Sequence, residues 1–172
     1  SFRPVDKTNN ILILNRKEVG KMSYLFNKYT NVIWAIARVW FGIDWMTHGI
    51  EKITKGFDST GFLNGVLANE VSPEWYKAFI ENVILPMSGF INFLIPVGEL
   101  LVGLALILGF LTIPALVGSL LMNLNFLWAG VISSNPSYVA IAIILLLGWR
   151  GTQYYGLDTL VWKKVFKKKQ MD

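Results

Sequence analysis

The 172-residue chain is too apolar for an ordinary soluble domain and too short for more than one bundle, since 53% of its residues are hydrophobic and its mean hydropathy is +0.47. It contains no cysteine, which excludes disulfides, thiolate metal sites, iron–sulfur clusters and thiol redox chemistry for this chain alone. Its net charge of +5 accompanies no nucleic-acid-binding motif, so nucleic acid is not an expected partner.

Residues 1–30 predict a cytoplasmic N-terminal extension. The apolar run from Ile11 to Leu14 is far too short for the core of a secretory signal, so the first membrane span is expected to target the chain. Residues 1–21 are polar and show no hydrophobic pattern. We therefore expect Met22 to be the natural start and the residues before it to be dispensable.

Four apolar windows approach the roughly 20 helical residues that a bilayer core requires. They cover roughly residues 31 to 50, 87 to 110, 112 to 132 and 135 to 152. Hydrocarbon offers no partner to a bare backbone, so such windows cross a bilayer as helices. The sequence predicts an all-α integral membrane protein, a four-transmembrane-helix bundle over residues 31–152 with short helices in an outer loop at 53–86.

The distribution of Lys and Arg predicts the orientation. Six basic residues precede the first span and six follow from Arg150 onward, whereas the loop from Glu51 to Glu81 has three against five acids. By the positive-inside rule, both termini lie in the cytoplasm and the protein is a multi-pass protein of the cytoplasmic membrane. The basic tail, residues 153–172, can lie along the anionic inner leaflet or act only as a topology anchor.

The outer loop contains two helix-start signals. Asp58 is a suitable N-cap for a short helix through Leu67, and Ser72 followed by Pro73 is a suitable start for a second helix. That second helix, Trp75 to Val83, has apolar side chains near one face. We expect it to lie on the outer surface, as a functional lid or as a plain interfacial helix.

The first span carries polar groups on two faces, so it is expected to face protein or water. The helical period places one stripe on residues Arg38, Gly42, Trp45, Gly49 and Lys52, and a second on Asp44, His48 and Glu51. The second stripe is suitable for a proton relay or a hydrogen-bonded structural cluster. One His with two carboxylates is a weak ligand set, and no metal site is expected.

Glu99 is the only charged side chain between Asn82 and Trp149, which makes it a functional-site candidate. Counting residues along antiparallel helices places Arg38 and Glu99 at similar depth, so we expect them to form an ion pair that serves either structure or a substrate site. On the third span Asn123 and Asn125 point about 200° apart. One is expected to bond between helices and the other to line a cavity.

Several short motifs follow one another along the chain. They are the Arg38 to Lys52 stripe with Gly56-Phe57, then Pro96-Val97-Gly98-Glu99, Gly103, Leu108-Gly109, Asn123-Leu124-Asn125-Phe126, Gly130 and Tyr155-Gly156-Leu157-Asp158. No single motif is specific, but their order and spacing together are. With them the chain resembles the DoxX/DoxD family of small four-span membrane proteins, and the resemblance covers about Asn31 to Asp158.

The resemblance implies a quinone-linked role, because the DoxD type is the large membrane subunit of thiosulfate:quinone oxidoreductase and acts with a small second subunit. Quinone is then the expected substrate or bound electron acceptor. With one His in the chain, no bis-His haem is expected, nor is an iron–sulfur cluster. The expected partners are the lipid bilayer, a small redox subunit and a second copy of the chain.

We assign roles on this basis. Glu99 would donate or orient a proton, Arg38 would be its charge partner and stabilise an oxyanion, and His48 with Asp44 would form an outer proton path. The expected quinone-binding residues are Trp45, Asn123 and Asn125. The alternative is a non-catalytic scaffold for a redox partner, or a pathway for protons or a small solute.

Overall fold

The structure is a computed structural model and describes residues 27–131 and 133–161. Within these residues all regular secondary structure is helical. The expected start at Met22 and the basic tail from residue 162 onward lie outside the described residues. The domain bounds at 30, 31 and 152 stay predictions.

The first helix, α1 (Lys28–Lys55), is longer than the predicted first span. Asn27 caps its start, because the Asn27 side chain accepts hydrogen bonds from the backbone N–H groups of Tyr29 and Thr30, each at 2.9 Å. The helix ends at Gly56, whose φ of +77° favours glycine. Its 28 residues span about 42 Å, and Lys52 and Lys55 lie on the same continuous helix as Arg38.

The predicted outer helices are present, with one difference at the second start. Helix α2 (Ser59–Ala68) begins after the Asp58 cap, as expected. Helix α3 (Glu74–Phe79) begins after Pro73, and Ser72 does not cap it: the Ser72 hydroxyl is buried without a partner. The predicted Ser72 cap is therefore wrong.

No break separates α3 from the next long helix. The chain continues through a π-helical turn (Ile80–Ile84) and a 3₁₀ turn (Leu85–Met87) into α4 (Ser88–Leu108). On α3 and the π turn, Tyr76 and Ile80 are buried against α2, whereas the predicted apolar face is exposed. The exposed residues are Trp75, Phe79 and Val83.

Three further helices follow along the chain. They are α5 (Thr112–Trp128), α6 (Asn135–Leu147) and α7 (Trp149–Tyr154). The turn between α4 and α5 is tight, since Gly109 and Leu111 both have positive φ, at +63° and +52°. Leu111 is not a glycine, so its conformation has to be held by other contacts.

The backbones of α1 and α4 approach each other closely at three glycines. A Cβ placed on Gly103 would lie 2.7 Å from the carbonyl oxygen of Gly42, and one on Gly42 would lie 2.9 Å from the carbonyl oxygen of Gly103. Gly49 meets the backbone of Leu100 in the same way. These glycines are therefore used inside the chain, and they are not free to bind a second copy.

The distribution of polarity differs from that in a soluble protein. Charged and amide side chains are buried, including Arg38, Glu99 and Asn123, while large apolar side chains cover the exterior. Among the exposed ones are Ile36, Trp40, Ile43, Phe90, Phe93, Leu101, Leu121, Ile144 and Leu147. Such an exterior is suited to lipid rather than water.

Length and composition identify one segment of the described chain, Glu74–Leu108, as long and apolar enough to cross a membrane. Thr112–Trp128 and Asn135–Leu147 are shorter apolar helices. The predicted windows all coincide with helices, and the all-α fold is confirmed. The four-span arrangement stays a prediction.

Acidification is expected to weaken the outer helices through Asp58. The backbone N–H of Thr60 donates to the Asp58 carboxylate at 2.9 Å and lowers the pKa of that carboxyl. A carboxyl with a lowered folded-state pKa contributes stability above its unfolded pKa of about 3.9, and this contribution is lost as the pH falls through the folded value. The midpoint temperature of thermal unfolding should therefore decrease when the pH is lowered below about 4.

The matched variant is Asp58→Asn, which keeps a good cap without a titrating group. Its unfolding midpoint should depend less on pH than that of the wild type between pH 5 and 3. Parallel pH profiles for the two proteins would show that the Asp58 cap contributes nothing to the pH dependence.

Candidate functional site

A cavity of about 280 Å³ lies at the Lys52 end of the bundle, between α1, α4, α5 and α6. Five aromatic residues contribute to its lining, which suits a flat ligand. The rings belong to Trp45, Phe57, Phe62, Phe126 and Tyr138, and the polar lining residues are His48, Lys52, Glu99, Asn123, Ser133, Ser134 and Asn135.

A buried ion pair is the strongest electrostatic feature of this cavity. Lys52 Nζ lies 2.5 and 2.7 Å from the two carboxylate oxygens of Glu99. The Glu99 side chain is 3% exposed and that of Lys52 is 25% exposed. Lys52 Nζ also lies 5.8 and 5.9 Å from the ring centroids of Phe57 and Phe126, within the range of cation–π attraction.

The expected pair of Arg38 with Glu99 is wrong. Gly42 faces Gly103 on α4. Arg38 lies one turn before Gly42 on α1 and therefore reaches Gly109 at the far end of α4. Arg38 and Lys52 are 14 residues apart on α1, or about 21 Å. The carboxylate is therefore reached by Lys52, which sequence reasoning placed on the same stripe without assigning it to the site.

Trp45 presents a hydrogen-bond donor that has no partner. Its indole Nε1 is buried and makes no hydrogen bond in the described residues, and the residue lines the cavity. A buried N–H without an acceptor costs about 1–3 kcal/mol. The expected role of Trp45 in binding stays a prediction.

The expected Asp44–His48 pair is present and includes a third residue. The Tyr138 hydroxyl on α6 donates to the Asp44 carboxylate. His48 Nδ1 lies 2.8 Å from the backbone oxygen of Asp44 and 3.6 Å from its carboxylate. His48 and Tyr138 also line the cavity, so the cluster connects the cavity to the partly exposed Asp44.

Glu51 does not join this cluster, because it pairs with Lys55 on the exposed side of α1. In the part of the chain that the structure describes, no group of three His, Cys, Asp or Glu side chains is arranged to hold a metal ion. The second predicted stripe therefore divides into a cavity-facing cluster and a surface ion pair.

The two asparagines of α5 point to different places, as expected. Asn123 lines the cavity and donates to the Ser119 carbonyl at 2.8 Å. Asn125 lies on another side of α5, where its backbone carbonyl accepts from the Tyr76 hydroxyl at 3.1 Å. The structure thus brings Asn123, but not Asn125, together with Glu99.

Arg38 lies at the opposite end of the bundle and joins α1 to α7 and the residue after it. Its guanidinium donates to the carbonyls of Thr152 at 2.9 Å and Tyr155 at 3.3 Å. Asp158 accepts from the backbone N–H groups of Leu111 and Thr112, at 2.8 and 2.9 Å, and so caps α5. Arg38 is a structural residue here and does not reach the cavity.

The family model described as DoxX matches residues 33–131, which is more than half of the chain. The chain belongs to the DoxX family. Searches of curated proteins and of solved structures returned no match. The DoxX match includes Trp45, Lys52, Glu99 and Asn123, and it ends before Tyr138 and Asp158.

The DoxX family is associated with membranes, and the apolar exterior of the described helices agrees with this. The protein is therefore a membrane protein. Two residues of this DoxX site were not predicted from the sequence. They are Lys52, which is the partner of Glu99, and Tyr138, which donates to Asp44. The glycines of α1 and α4 carried only a partial signal, because aligning Gly42 with Gly103 in antiparallel helices places Glu99 level with residue 46, about 9 Å along α1 from Lys52 and about 12 Å from Arg38.

Replacing Asp158 with alanine is expected to destabilise the Arg38 end of this DoxX fold. The substitution leaves the buried N–H of Thr112 and the partly buried N–H of Leu111 without an acceptor, which should cost about 2 kcal/mol. Thermal unfolding in lipid nanodiscs measures this loss. Asp158→Asn, which keeps one acceptor oxygen, should show a smaller loss, and equal stability of both variants and the wild type would contradict the capping role.

Proposed function

We propose that this DoxX protein is a four-span protein of the cytoplasmic membrane and the membrane subunit of a quinone-linked oxidoreductase, with the quinone ring bound in the cavity beside Lys52 and Glu99. The observation that carries the proposal is the cavity with five aromatic residues and the Lys52–Glu99 ion pair in its lining. A quinone ring is flat, and its two oxygens accept hydrogen bonds. Lys52 is a donor in the lining, and the indole N–H of Trp45 is a second donor that is buried without a partner.

Helix dimensions support the four spans. At 1.5 Å per residue, α1 is about 42 Å long, α4 about 32 Å and α5 about 26 Å. The path through α6 and α7, residues 135–154, is about 30 Å long, so all four are close to the thickness of a bilayer core. The basic flanks support an orientation with both termini in the cytoplasm, which places the cavity in the outer half of the membrane.

The chemistry of quinone reduction suits the charged wall. Reduction of a quinone to a quinol adds two electrons and two protons, so the site needs proton-bearing groups close to the ring. Glu99 orients the Lys52 ammonium by direct pairing, and the ammonium can then also donate to a quinone oxygen. His48, Tyr138 and Asp44 supply a route for protons from the outer surface.

The electrons come from outside this chain. A chain with no cysteine and one histidine has no haem pair or cluster of its own, so a small reductant held by a partner subunit is the donor. Oxidation of two thiosulfate ions to tetrathionate releases the two electrons that one quinone requires. Thiosulfate is therefore a suitable donor in the proposed reaction.

Binding of a quinone without a side chain tests the proposal in lipid nanodiscs. Trp45→Phe keeps a ring and removes the indole N–H, so the affinity for the quinone should fall about tenfold, which corresponds to one hydrogen bond of roughly 1.4 kcal/mol. The matched control is Trp128→Phe, which removes an indole that packs on Trp75 and Tyr76 outside the cavity. Its affinity should equal that of the wild type.

The opposite result is also informative. A wild-type protein that is folded, binds no quinone and captures a redox partner would favour the scaffold alternative and would contradict the proposed site. Proton flux into liposomes that depends on Asp44 and His48, again without quinone binding, would favour a proton pathway.

A further inference from the structure

A second cavity, of about 220 Å³, lies beside the first, between the outer helices α2 and α3 on one side and α4 and α5 on the other. Its walls are almost entirely hydrocarbon, from leucine, isoleucine and phenylalanine side chains. The few polar groups at its edge have partners within the protein: the Tyr76 hydroxyl donates to Asn125, and the Ser59 hydroxyl to Ser88. A ligand in this cavity would be held by apolar contact.

Two phenylalanines separate the cavities. Phe62 of α2 and Phe126 of α5 line both of them, and their rings meet edge to face with centroids 6.1 Å apart. Lys52 Nζ lies 5.9 Å from the Phe126 ring centroid on the other side. Phe62 and Phe126 are therefore walls shared by the cavity of the ion pair and the hydrocarbon cavity.

The hydrocarbon cavity reaches the apolar exterior of the protein. Leu94 on α4 and Phe79 on α3, which both line it, are 47% and 40% exposed. Ile80 and Ile84, at the two ends of the π-helical turn, form another part of the wall. π-helical turns are rare and occur often at functional sites. The wall that faces the bilayer is thus the least regular part of the long Glu74–Leu108 segment.

We propose that the hydrocarbon cavity holds the polyprenyl chain of a membrane quinone whose ring occupies the cavity beside Lys52, and that the quinone enters sideways from the bilayer between Phe62 and Phe126. This inference rests on the proposed function and names its substrate class. A molecule with one polar ring and one long hydrocarbon chain matches the sequence of surfaces from Trp45 and Lys52 to Leu94. The shared phenylalanine walls select this occupant, because a lipid acyl chain alone would leave the ring cavity unfilled.

The test compares two radiolabelled quinones in lipid nanodiscs, one without a side chain and one with the same ring carrying two isoprene units. Ile91→Trp fills the hydrocarbon cavity from α4. It should weaken equilibrium binding of the prenylated quinone about tenfold, as overfilling of a cavity does, and leave binding of the ring-only quinone unchanged. Leu101→Trp, on the exposed side of the same helix, should change neither.

Each outcome decides the proposal. If Ile91→Trp alters neither affinity, or lowers both equally, the prenyl chain of the quinone is not held in this cavity, although the proposed site for the ring stands. If the wild type binds neither quinone, the proposed function fails and this inference fails with it. Should Ile91→Trp not fold, Leu94→Trp provides the same comparison from the rim of the cavity.

Discussion

Glu99→Gln is expected to abolish quinone reduction and to destabilise the protein by about 3 kcal/mol. The substitution leaves the Lys52 ammonium without its counter-charge in a cavity where the carboxylate was 3% exposed. Breaking a buried ion pair by removing one partner costs roughly 3–5 kcal/mol, and the partial exposure of Lys52 favours the lower value. Thermal unfolding and quinone turnover in nanodiscs, at matched folded fraction, measure the two effects.

The double variant Lys52→Met with Glu99→Gln separates structure from function. Removing both charges should restore most of the stability, because no uncompensated charge is left, whereas turnover should stay lost. Recovery of turnover along with stability would make the pair purely structural. The surface pair Lys55→Met with Glu51→Gln is the control, since it removes the same charges from the exposed side of α1 and should change neither quantity.

Gly103→Ala is expected to prevent α1 and α4 from packing. The added Cβ would lie 2.7 Å from the Gly42 carbonyl oxygen and also within contact of the Met46 backbone. Backbone atoms cannot move aside as a flexible side chain can, so the destabilisation should be roughly 3 kcal/mol or more. The register of the two helices also places Lys52 beside Glu99, so quinone binding should be lost with the packing.

Gly118→Ala is the matched control for this prediction. A Cβ at Gly118 meets only the Val102 side chain, at 3.7 Å, which is an ordinary contact. Size-exclusion chromatography and the unfolding midpoint should distinguish a well-folded Gly118→Ala from a poorly folded Gly103→Ala. Similar behaviour of the two variants would show that close α1–α4 packing is not needed.

Local features were predictable from the sequence. The Asp58 cap depends on a contact between residues two positions apart, and the structure has it. The helices coincide with the apolar windows, and the burial of Glu99 follows from its isolation in such a window. The Ser72 cap failed because the helix starts one residue later than expected, after Pro73.

Contacts between helices were less predictable, because they depend on register. The expected Arg38–Glu99 pair assumed that both residues lie at the depth given by the ends of apolar windows. Close approaches of the two backbones, at Gly42 and Gly103 and at Gly49 and Leu100, set the register instead, and Lys52 becomes the partner of Glu99. Tyr138 gave no signal, since nothing in the pattern of α6 relates it to Asp44.

The closure of the Arg38 end has a consequence for the order of synthesis. The guanidinium of Arg38 donates to the carbonyl of Thr152, which is synthesised 114 residues later. The start of α5 likewise has no cap until Asp158 has been synthesised. A nascent chain halted just before residue 152 already contains α1 to α6 and the Lys52–Glu99 pair, yet its first helix carries a cation without an acceptor. Assembly during translation is therefore completed by the residues made last among those described.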